Sequence, residues 1–178
     1  HDEPQSDQRA RRFGTGDFNP HIFWWPGTFQ MDLMFVVYAV MFVAERLGGL
    51  VASSQAFAAS YFRDPTSFYL SGRLVTLAFG LATVYLTFRL GKRSHSWAAG
   101  AIAAFYLSIN PMHVEWSRLV LPVVPMTLWV VLAFLAALKI AEEASIRWYL
   151  LSGIAAGLAT ACLYYGALVA LAIPLAHG

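Results

Sequence analysis

The sequence is poor in charge and contains a single cysteine. Charged side chains make up 12% of its 178 residues, about half of their usual share in a soluble domain. The net charge of +2 is small and the basic residues are dispersed, so no nucleic-acid partner is expected. Because Cys162 is the one cysteine, an internal disulfide framework and a cysteine-based metal site are both excluded.

Hydrophobic residues dominate the chain instead. They make up 58% of the sequence, and the mean hydropathy is +0.57. Long runs with few charges predict transmembrane helices, so the chain is expected to be an all-α integral membrane protein, a multispanning helical bundle. Within residues 67–178, transmembrane helices are predicted at about 67–90, 97–114, 119–140 and 148–176. Glycines divide the last segment, which is predicted either as one long tilted helix or as two broken pieces.

Residues 1–66 are predicted to form an extracytoplasmic loop with short and membrane-associated helices. Residues 1–29 are polar and rich in glycine, proline and aromatic residues, a composition that indicates turns. Residues 30–51 are apolar but carry charges, so a span, a re-entrant helix and an interfacial helix all stay open. Because the chain opens on His1 and ends directly after an apolar run, we expect a fragment of a longer protein.

Basic residues in the short connections predict the orientation, since they favour the cytoplasmic side. One group of basic residues lies at 89–93, and Lys139 and Arg147 lie in a later connection. Both connections are therefore expected in the cytoplasm. Residues 1–66 and the loop at 110–118 are then expected together on the opposite face.

The adjacent carboxylates Asp2 and Glu3 are the candidate catalytic residues. In an extended segment they project in different directions, so one can act on the acceptor while the other binds a metal or orients the partner. A solvated loop end is the plainer interpretation, but only 10 acidic residues occur in the chain. Trp24 and Trp25 lie near this segment and are assigned to substrate shaping. The six tryptophans of the chain mostly fall near predicted helix ends, as in an aromatic belt.

Arg73 is predicted inside the first turns of a transmembrane helix, where an unpaired guanidinium is costly. Its planar fork suits a lipid-linked phosphate, and a snorkelling interface anchor is the alternative. The loop at 110–118 adds His113, Glu115 and Arg118. Two ligands are too few to predict a metal site, so His113 and Glu115 are assigned to substrate shaping and a divalent metal stays open. Arg118 is grouped with Arg73 as a donor phosphate-binding residue.

Several short motifs follow one another in a familiar order. They are Asp2-Glu3, Ala10-Arg11, Gly16-Asp17-Phe18-Asn19-Pro20, Trp25-Pro26, Gly72-Arg73-Leu74, Leu90-Gly91-Lys92-Arg93 and Ser108-Ile109-Asn110-Pro111-Met112-His113. This order resembles the GT-C membrane glycosyltransferases, most closely the bacterial and archaeal relatives of protein O-mannosyltransferases and of the aminoarabinose transferase of lipid A. The resemblance covers essentially the whole chain.

The resemblance implies an inverting glycosyltransferase of a prokaryotic plasma membrane, with its active site in the first extracytoplasmic loop. It implies a polyprenyl-phosphate sugar donor, a lipid, glycan or protein acceptor, and contact with membrane lipid. Asp2 matches the family's general base and Glu3 its neighbour. Arg73 is then a clamp for the leaving lipid phosphate.

Two positions depart from the family pattern. Relatives commonly have an acidic residue where this chain has Val123, and often a lysine where it has Leu163. These departures keep a second interpretation open: a non-catalytic membrane protein that binds lipid carriers or resembles a transporter. A transporter is expected to have charged or broken-helix sites near mid-membrane, whereas residues 97–114 and 119–138 carry no charge.

Overall fold

The computed structural model describes residues 28–177, and every regular element in this range is a helix. The elements are α1 Phe29–Leu47, α2 Ser54–Arg63, α3 Thr66–Ser94, α4 Trp97–Ile109, α5 Pro111–Trp116, α6 Val123–Glu143, α7 Ile146–Cys162, a 3-10 helix Tyr164–Leu171, and α8 Ala172–His177. The predicted all-α class is thereby confirmed for the described residues.

Helices α3 and α4 form a hairpin in which the two backbones touch. Ser96 begins α4, because its side chain accepts a hydrogen bond from the Ala99 N–H at 3.1 Å. A Cβ atom on Gly100 would lie 2.5 Å from the Phe88 carbonyl oxygen, and one on Gly91 would lie 2.8 Å from the Gly100 Cα. Glycine at both positions therefore permits the close approach.

Helices α6 and α7 form a second hairpin, packed through small side chains. Ala133 of α6 and Ala155 and Ala159 of α7 are fully buried. The Ser152 hydroxyl donates a hydrogen bond across the pair to the Ala133 carbonyl oxygen at 3.2 Å. Small residues let membrane helices approach closely, and the hydroxyl adds a polar link between them.

Ion pairs join the ends of α3, α6 and α7 at one end of the bundle. Arg93 pairs with Glu142, and Lys139 Nζ lies 2.7 Å from Glu143 Oε1. Arg147 lies 3.2 Å from the same Glu143 carboxylate. The two connections that were predicted to be cytoplasmic therefore lie at the same end of the bundle.

Helices α3 and α6 are long and apolar enough to cross a membrane. A core helix of a soluble protein can also be this apolar, but such a helix is mostly buried. In α3 only 17% of the most apolar 18-residue window is buried, and Leu74 and Leu81 are 56% and 65% exposed. An apolar surface of this extent suits contact with hydrocarbon.

The segment predicted as one helix over 97–114 contains two helices. Helix α4 ends at Ile109, and Asn110 is extended. The Asn110 side chain accepts a hydrogen bond from the His113 N–H at 3.1 Å, and Pro111 occupies the first turn of α5. The interruption follows from the Asn-Pro pair, because proline disfavours the helical conformation in the residue before it.

The apolar segment predicted at 148–176 is also divided in the structure. Helix α7 ends at Cys162, and Leu163 is extended before the 3-10 helix begins. A Cβ atom on Gly166 would lie 2.4 Å from the Ala159 carbonyl oxygen, so the new helix packs directly on the backbone of α7. The C-terminal segment then lies against α6 and α7.

Helix α1 packs antiparallel along α3. The Phe29 ring lies 6.2 Å from the Phe79 ring, and the Tyr38 ring lies 5.3 Å from the Phe68 ring. Helix α2, in the loop that was predicted to contain short helices, joins the same contact through Phe57, whose ring lies 5.1 Å from that of Phe68. Aromatic packing therefore fixes both helices against the first half of α3.

Candidate functional site

One face of α3 is buried and consists mainly of small residues. These residues recur at helical spacing and are Phe68, Gly72, Thr76, Gly80 and Thr83. The two threonine hydroxyls donate hydrogen bonds to carbonyl oxygens four residues earlier in the helix. Neither hydroxyl therefore leaves an unsatisfied donor on this face, and another segment can approach it closely.

The connection between α4 and α6 packs onto this face of α3. A Cβ atom on Gly80 would lie 2.4 Å from Ser117 Oγ and 3.0 Å from Ser117 Cβ, and one on Gly72 would lie 2.9 Å from Val120 Cγ2. Ser117 and Val120 are themselves 4% and 2% exposed. The connection therefore follows α3 over about two helical turns.

His113 anchors α5 to the same place. Its Nε2 atom lies 3.3 Å from the Gly80 carbonyl oxygen. Its own carbonyl oxygen accepts a hydrogen bond from the Ser117 hydroxyl at 2.6 Å. Because the Asn110 cap holds the His113 N–H as well, both the backbone and the ring of this residue are fixed. His113 is therefore in a position to orient the segment that follows it.

Arg73 and Arg118 flank these contacts. Arg73 follows Gly72 in α3, and Arg118 lies between Ser117 and Val120. Both arginine side chains are exposed, whereas Gly72, Ser117 and Val120 are buried. The structure thus brings the backbones of the two predicted phosphate-binding residues to one packed contact.

His113 and Glu115 do not converge on a common ligand. Residues two apart in a helix project about 200° from each other, and here His113 is half-buried toward α3 while Glu115 is exposed. Within residues 28–177, no group of three or more His, Cys, Asp or Glu side chains is placed to hold a metal ion. The described part of the site therefore offers two arginines but no cluster of metal ligands.

Four predicted site residues lie outside the described residues. They are Asp2, Glu3, Trp24 and Trp25. Their roles stay predictions.

An aromatic cluster next to the site was not predicted. The rings of Phe29, Phe79 and Trp129 meet edge to face, with centroids 5.9 to 6.2 Å apart. Trp129 thus packs inside the bundle rather than in an interface belt. Its indole N–H and the amide of Gln30 are buried and have no hydrogen-bond partner in the described part of the chain. The sequence offers no signal for this arrangement, which depends on tertiary packing.

The profile of the dolichyl-phosphate-mannose-protein mannosyltransferase family matches residues 65–176. The chain belongs to this mannosyltransferase family. No curated protein and no solved structure matches the chain. Membership confirms the resemblance inferred from the order of the sequence motifs, and it points to a glycosyltransferase of the GT-C type in a membrane.

The match to the mannosyltransferase family contains the described site. It begins next to the start of α3 and ends within α8. Arg73, His113, Glu115 and Arg118 all lie in it, whereas the predicted catalytic pair lies before it. The family assignment therefore rests on the same helices that position the arginines.

The two departures from the family pattern lie at the ends of helices. Val123 is the first residue of α6, and Leu163 is 2% exposed at the end of α7. A lysine at position 163 would need a buried partner for its charge. The apolar side chain therefore fits its environment in this member of the mannosyltransferase family.

Proposed function

We propose that this chain belongs to a glycosyltransferase that takes its sugar from a polyprenyl-phosphate donor at the extracytoplasmic face of the membrane. The supporting observation is the packed contact on α3, in which the segment that carries Arg118 lies against Gly72 and Gly80 of the helix that carries Arg73. Two guanidinium groups suit the phosphate of a lipid-linked sugar, because each offers paired donors and a fixed charge.

The name of the family specifies dolichyl-phosphate mannose as donor and protein as acceptor. Mannose on a polyprenyl phosphate is therefore the first donor to test, and a lipid, glycan or protein is the acceptor. An apolar lipid carrier needs a site at the membrane boundary. The exposed leucines of α3 on either side of the arginine turn supply an apolar surface for its chain.

In the proposed reaction Asp2 is the general base. Its carboxylate takes the proton from the acceptor hydroxyl or amine, and the acceptor atom attacks the anomeric carbon of the sugar. The bond between that carbon and the phosphate oxygen breaks with inversion. The polyprenyl phosphate leaves with the bonding electrons, and the charges of Arg73 and Arg118 stabilise it.

The other site residues have supporting roles in this proposal. Glu3 orients the acceptor or binds a divalent metal beside Asp2. Trp24 and Trp25 shape the sugar or acceptor site, and His113 holds the segment that carries Arg118 against α3. Glu115, which is exposed on the other side of α5, is available to the acceptor.

A donor-binding measurement tests the phosphate-binding role of Arg73 and Arg118 separately from sugar transfer. Purified protein is incubated with radiolabelled polyprenyl-phosphate mannose, and Arg73→Gln and Arg118→Gln are each expected to weaken binding about tenfold or more, since a charged hydrogen bond contributes about 1.5–3 kcal/mol. The donor affinity of Arg73→Lys is expected to lie between those of the wild type and Arg73→Gln, because lysine keeps the charge and loses the planar fork.

The matched control removes a basic side chain elsewhere. Arg63→Gln changes an exposed arginine at the end of α2 and is expected to bind the donor as the wild type does. Wild-type binding by both site variants would contradict the proposed phosphate site. Retained donor binding by a wild-type protein that never transfers sugar would favour a non-catalytic lipid-carrier protein.

A further inference from the structure

One polar side chain in the described core lacks a hydrogen-bond partner. Gln30 is fully buried at the start of α1, and neither its Oε1 nor its Nε2 atom meets a partner among the described residues. The other buried polar side chains each donate to a backbone carbonyl oxygen; they are Thr76, Thr83, Ser117 and Ser152. A buried amide without a partner destabilises the fold, and a ligand that pairs with it would offset this cost.

Helix packing does not require an amide at position 30. The buried face of α1 continues with Met31, Met34 and Tyr38, so apolar groups fill the neighbouring core positions. Methionine has about the length of glutamine and only a weak acceptor. It would fill the same space at a lower cost of desolvation. A polar group that is kept at such a cost is expected where the protein uses it.

A second unpartnered donor lies in the adjacent aromatic cluster. The Nε1 atom of Trp129 is buried, and its N–H has no acceptor within residues 28–177. The Trp129 ring lies 5.9 Å from that of Phe29, the residue before Gln30. The cluster therefore combines an amide that donates and accepts, an indole donor and aromatic surfaces. A sugar is complementary to it, because its hydroxyl groups donate and accept and its C–H groups pack on aromatic rings.

The aromatic cluster lies beside the proposed phosphate site. Phe79 belongs to the cluster, and Gly80, the next residue of α3, contacts the connection that carries Arg118. From Arg73 to Phe79, α3 rises about 9 Å. A sugar joined to a phosphate spans a comparable length. A single lipid-linked sugar can therefore meet the arginines with its phosphate and the cluster with its hydroxyl groups.

We propose that Gln30 and Trp129 bind hydroxyl groups of the donor sugar. The Gln30 amide donates and accepts hydrogen bonds, and the Trp129 indole N–H donates one. Thr28 is exposed and Phe29 is half-buried, so the sugar reaches the amide by displacing the Phe29 ring at the edge of the core. This subsite rests on the proposed function and extends it from the lipid phosphate to recognition of the sugar.

Two radiolabelled lipids separate the sugar subsite from the phosphate site: polyprenyl-phosphate mannose and polyprenyl phosphate without a sugar. In the purified whole protein, Gln30→Met is expected to weaken binding of the mannosyl lipid about fivefold, as for the loss of one hydrogen bond, and to leave binding of the bare lipid unchanged. Trp129→Phe keeps an aromatic ring and loses the N–H, so the same result is expected. Gln55→Met and Trp97→Phe change exposed side chains and are expected to bind both lipids as the wild type does.

Thermal unfolding without lipid gives a second readout, of opposite sign. Because the unpartnered amide destabilises the fold, Gln30→Met is expected to raise the melting temperature by about 2–4 °C although it weakens donor binding. A melting temperature that stays the same or falls would mean that the amide already has a partner, and it would overturn the proposal.

The binding data can overturn the subsite without affecting the phosphate site. Unchanged binding of the mannosyl lipid by Gln30→Met, or equal weakening for the two lipids, would do so. If Gln30→Met does not fold, Trp129→Phe decides by the same criterion. A wild type that binds neither lipid would contradict the proposed function and the subsite with it.

Discussion

At the scale of the residue, the site depends on glycines that let the Arg118 segment touch α3. A methyl group at Gly80 would meet both Oγ and Cβ of Ser117. Gly80→Ala is therefore expected to lower the free energy of unfolding by about 1–3 kcal/mol, the usual cost of overpacking, and to weaken donor binding because Arg118 moves. Thermal unfolding in detergent and donor binding measure the two effects.

Gly153→Ala is the matched control for this prediction. Gly153 lies inside α7, and a Cβ atom there would meet nothing within 4 Å. Replacing it is expected to leave stability unchanged or to raise it, by up to about 1 kcal/mol from helix propensity. Equal destabilisation by the two alanines would contradict the packing of Ser117 on Gly80.

The sequence was sufficient to select candidate site residues by their chemistry, but it did not predict which residues would lie next to them in the fold. Arg73 and Arg118 were selected because guanidinium groups suit phosphate, and the packing of Ser117 and Val120 on α3 brings their backbones together. That packing depends on small side chains 37 and 48 positions away in the sequence, at Gly80 and Gly72. The burial of Gln30 is likewise a tertiary effect, since no local pattern predicts it.

At the scale of the element, the Asn110 cap defines α5. Asn110→Ala removes the side-chain acceptor of the His113 N–H and is expected to destabilise the first turn of α5 by about 0.5–2 kcal/mol. Faster hydrogen exchange at the His113 amide measures this effect. Ser108→Ala is the control, because the Ser108 hydroxyl donates only within α4, and matching exchange rates in the two variants would rule out the capping role.

The stability of the first turn of α3 is expected to depend on pH. The pKa of Asp64 is lowered because its carboxylate accepts a hydrogen bond from the Thr66 side chain and a second one from the Thr66 N–H, at 3.0 Å. The stabilisation is therefore present above the unfolded pKa, about 4, and is lost as the pH falls through the lower folded value. In Asp64→Asn no carboxylate titrates at this position, so this pH dependence of the first turn of α3 should disappear.

The ratio of Thr66 amide exchange rates in Asp64→Asn and wild type measures this effect, since the intrinsic pH dependence of exchange cancels. The ratio is expected to differ between pH 5, where the Asp64 carboxylate is charged, and more acidic pH, where it is protonated. A ratio that stays constant as the carboxylate titrates would mean that Asp64 does not hold the first turn of α3.

Long apolar helices were predictable, and short elements were not. The segments predicted at 67–90 and 119–140 correspond to α3 and α6, because unbroken hydrophobic runs have few alternatives in a membrane. The Asn110-Pro111 pair is typical of a helix start. The uncharged apolar run before it nevertheless led to the prediction of one continuous helix over 97–114. Helix α2 has ten residues, and its position depends on aromatic contacts with α3 that no local pattern predicts.

At the scale of the whole molecule, the family and the membrane location follow from the same helices. The matched family range, 65–176, and the apolar surfaces of α3 and α6 confirm the predicted membrane glycosyltransferase resemblance. The orientation stays a prediction, because it depends on the distribution of basic residues across the bilayer. The ion-paired end of the bundle is expected in the cytoplasm.

Cysteine labelling in intact cells tests this orientation in a Cys162→Ala background. A cysteine at Ser94, beside the ion-paired end, is expected to react only after the membrane is permeabilised. Cysteines at Gln5 and at the exposed Met112 of α5 are expected to react from outside. Labelling of position 94 from outside would reverse the orientation of the whole bundle.

Sugar transfer tests directly whether Asp2 is the general base of a glycosyltransferase that uses a polyprenyl-phosphate donor. Membranes containing the wild type or Asp2→Asn are supplied with radiolabelled polyprenyl-phosphate mannose, and both transfer and donor binding are measured. Transfer is expected to fall by at least about a hundredfold in the variant, the lower range for loss of a general base, while donor binding persists. Equal transfer by the two proteins would contradict it.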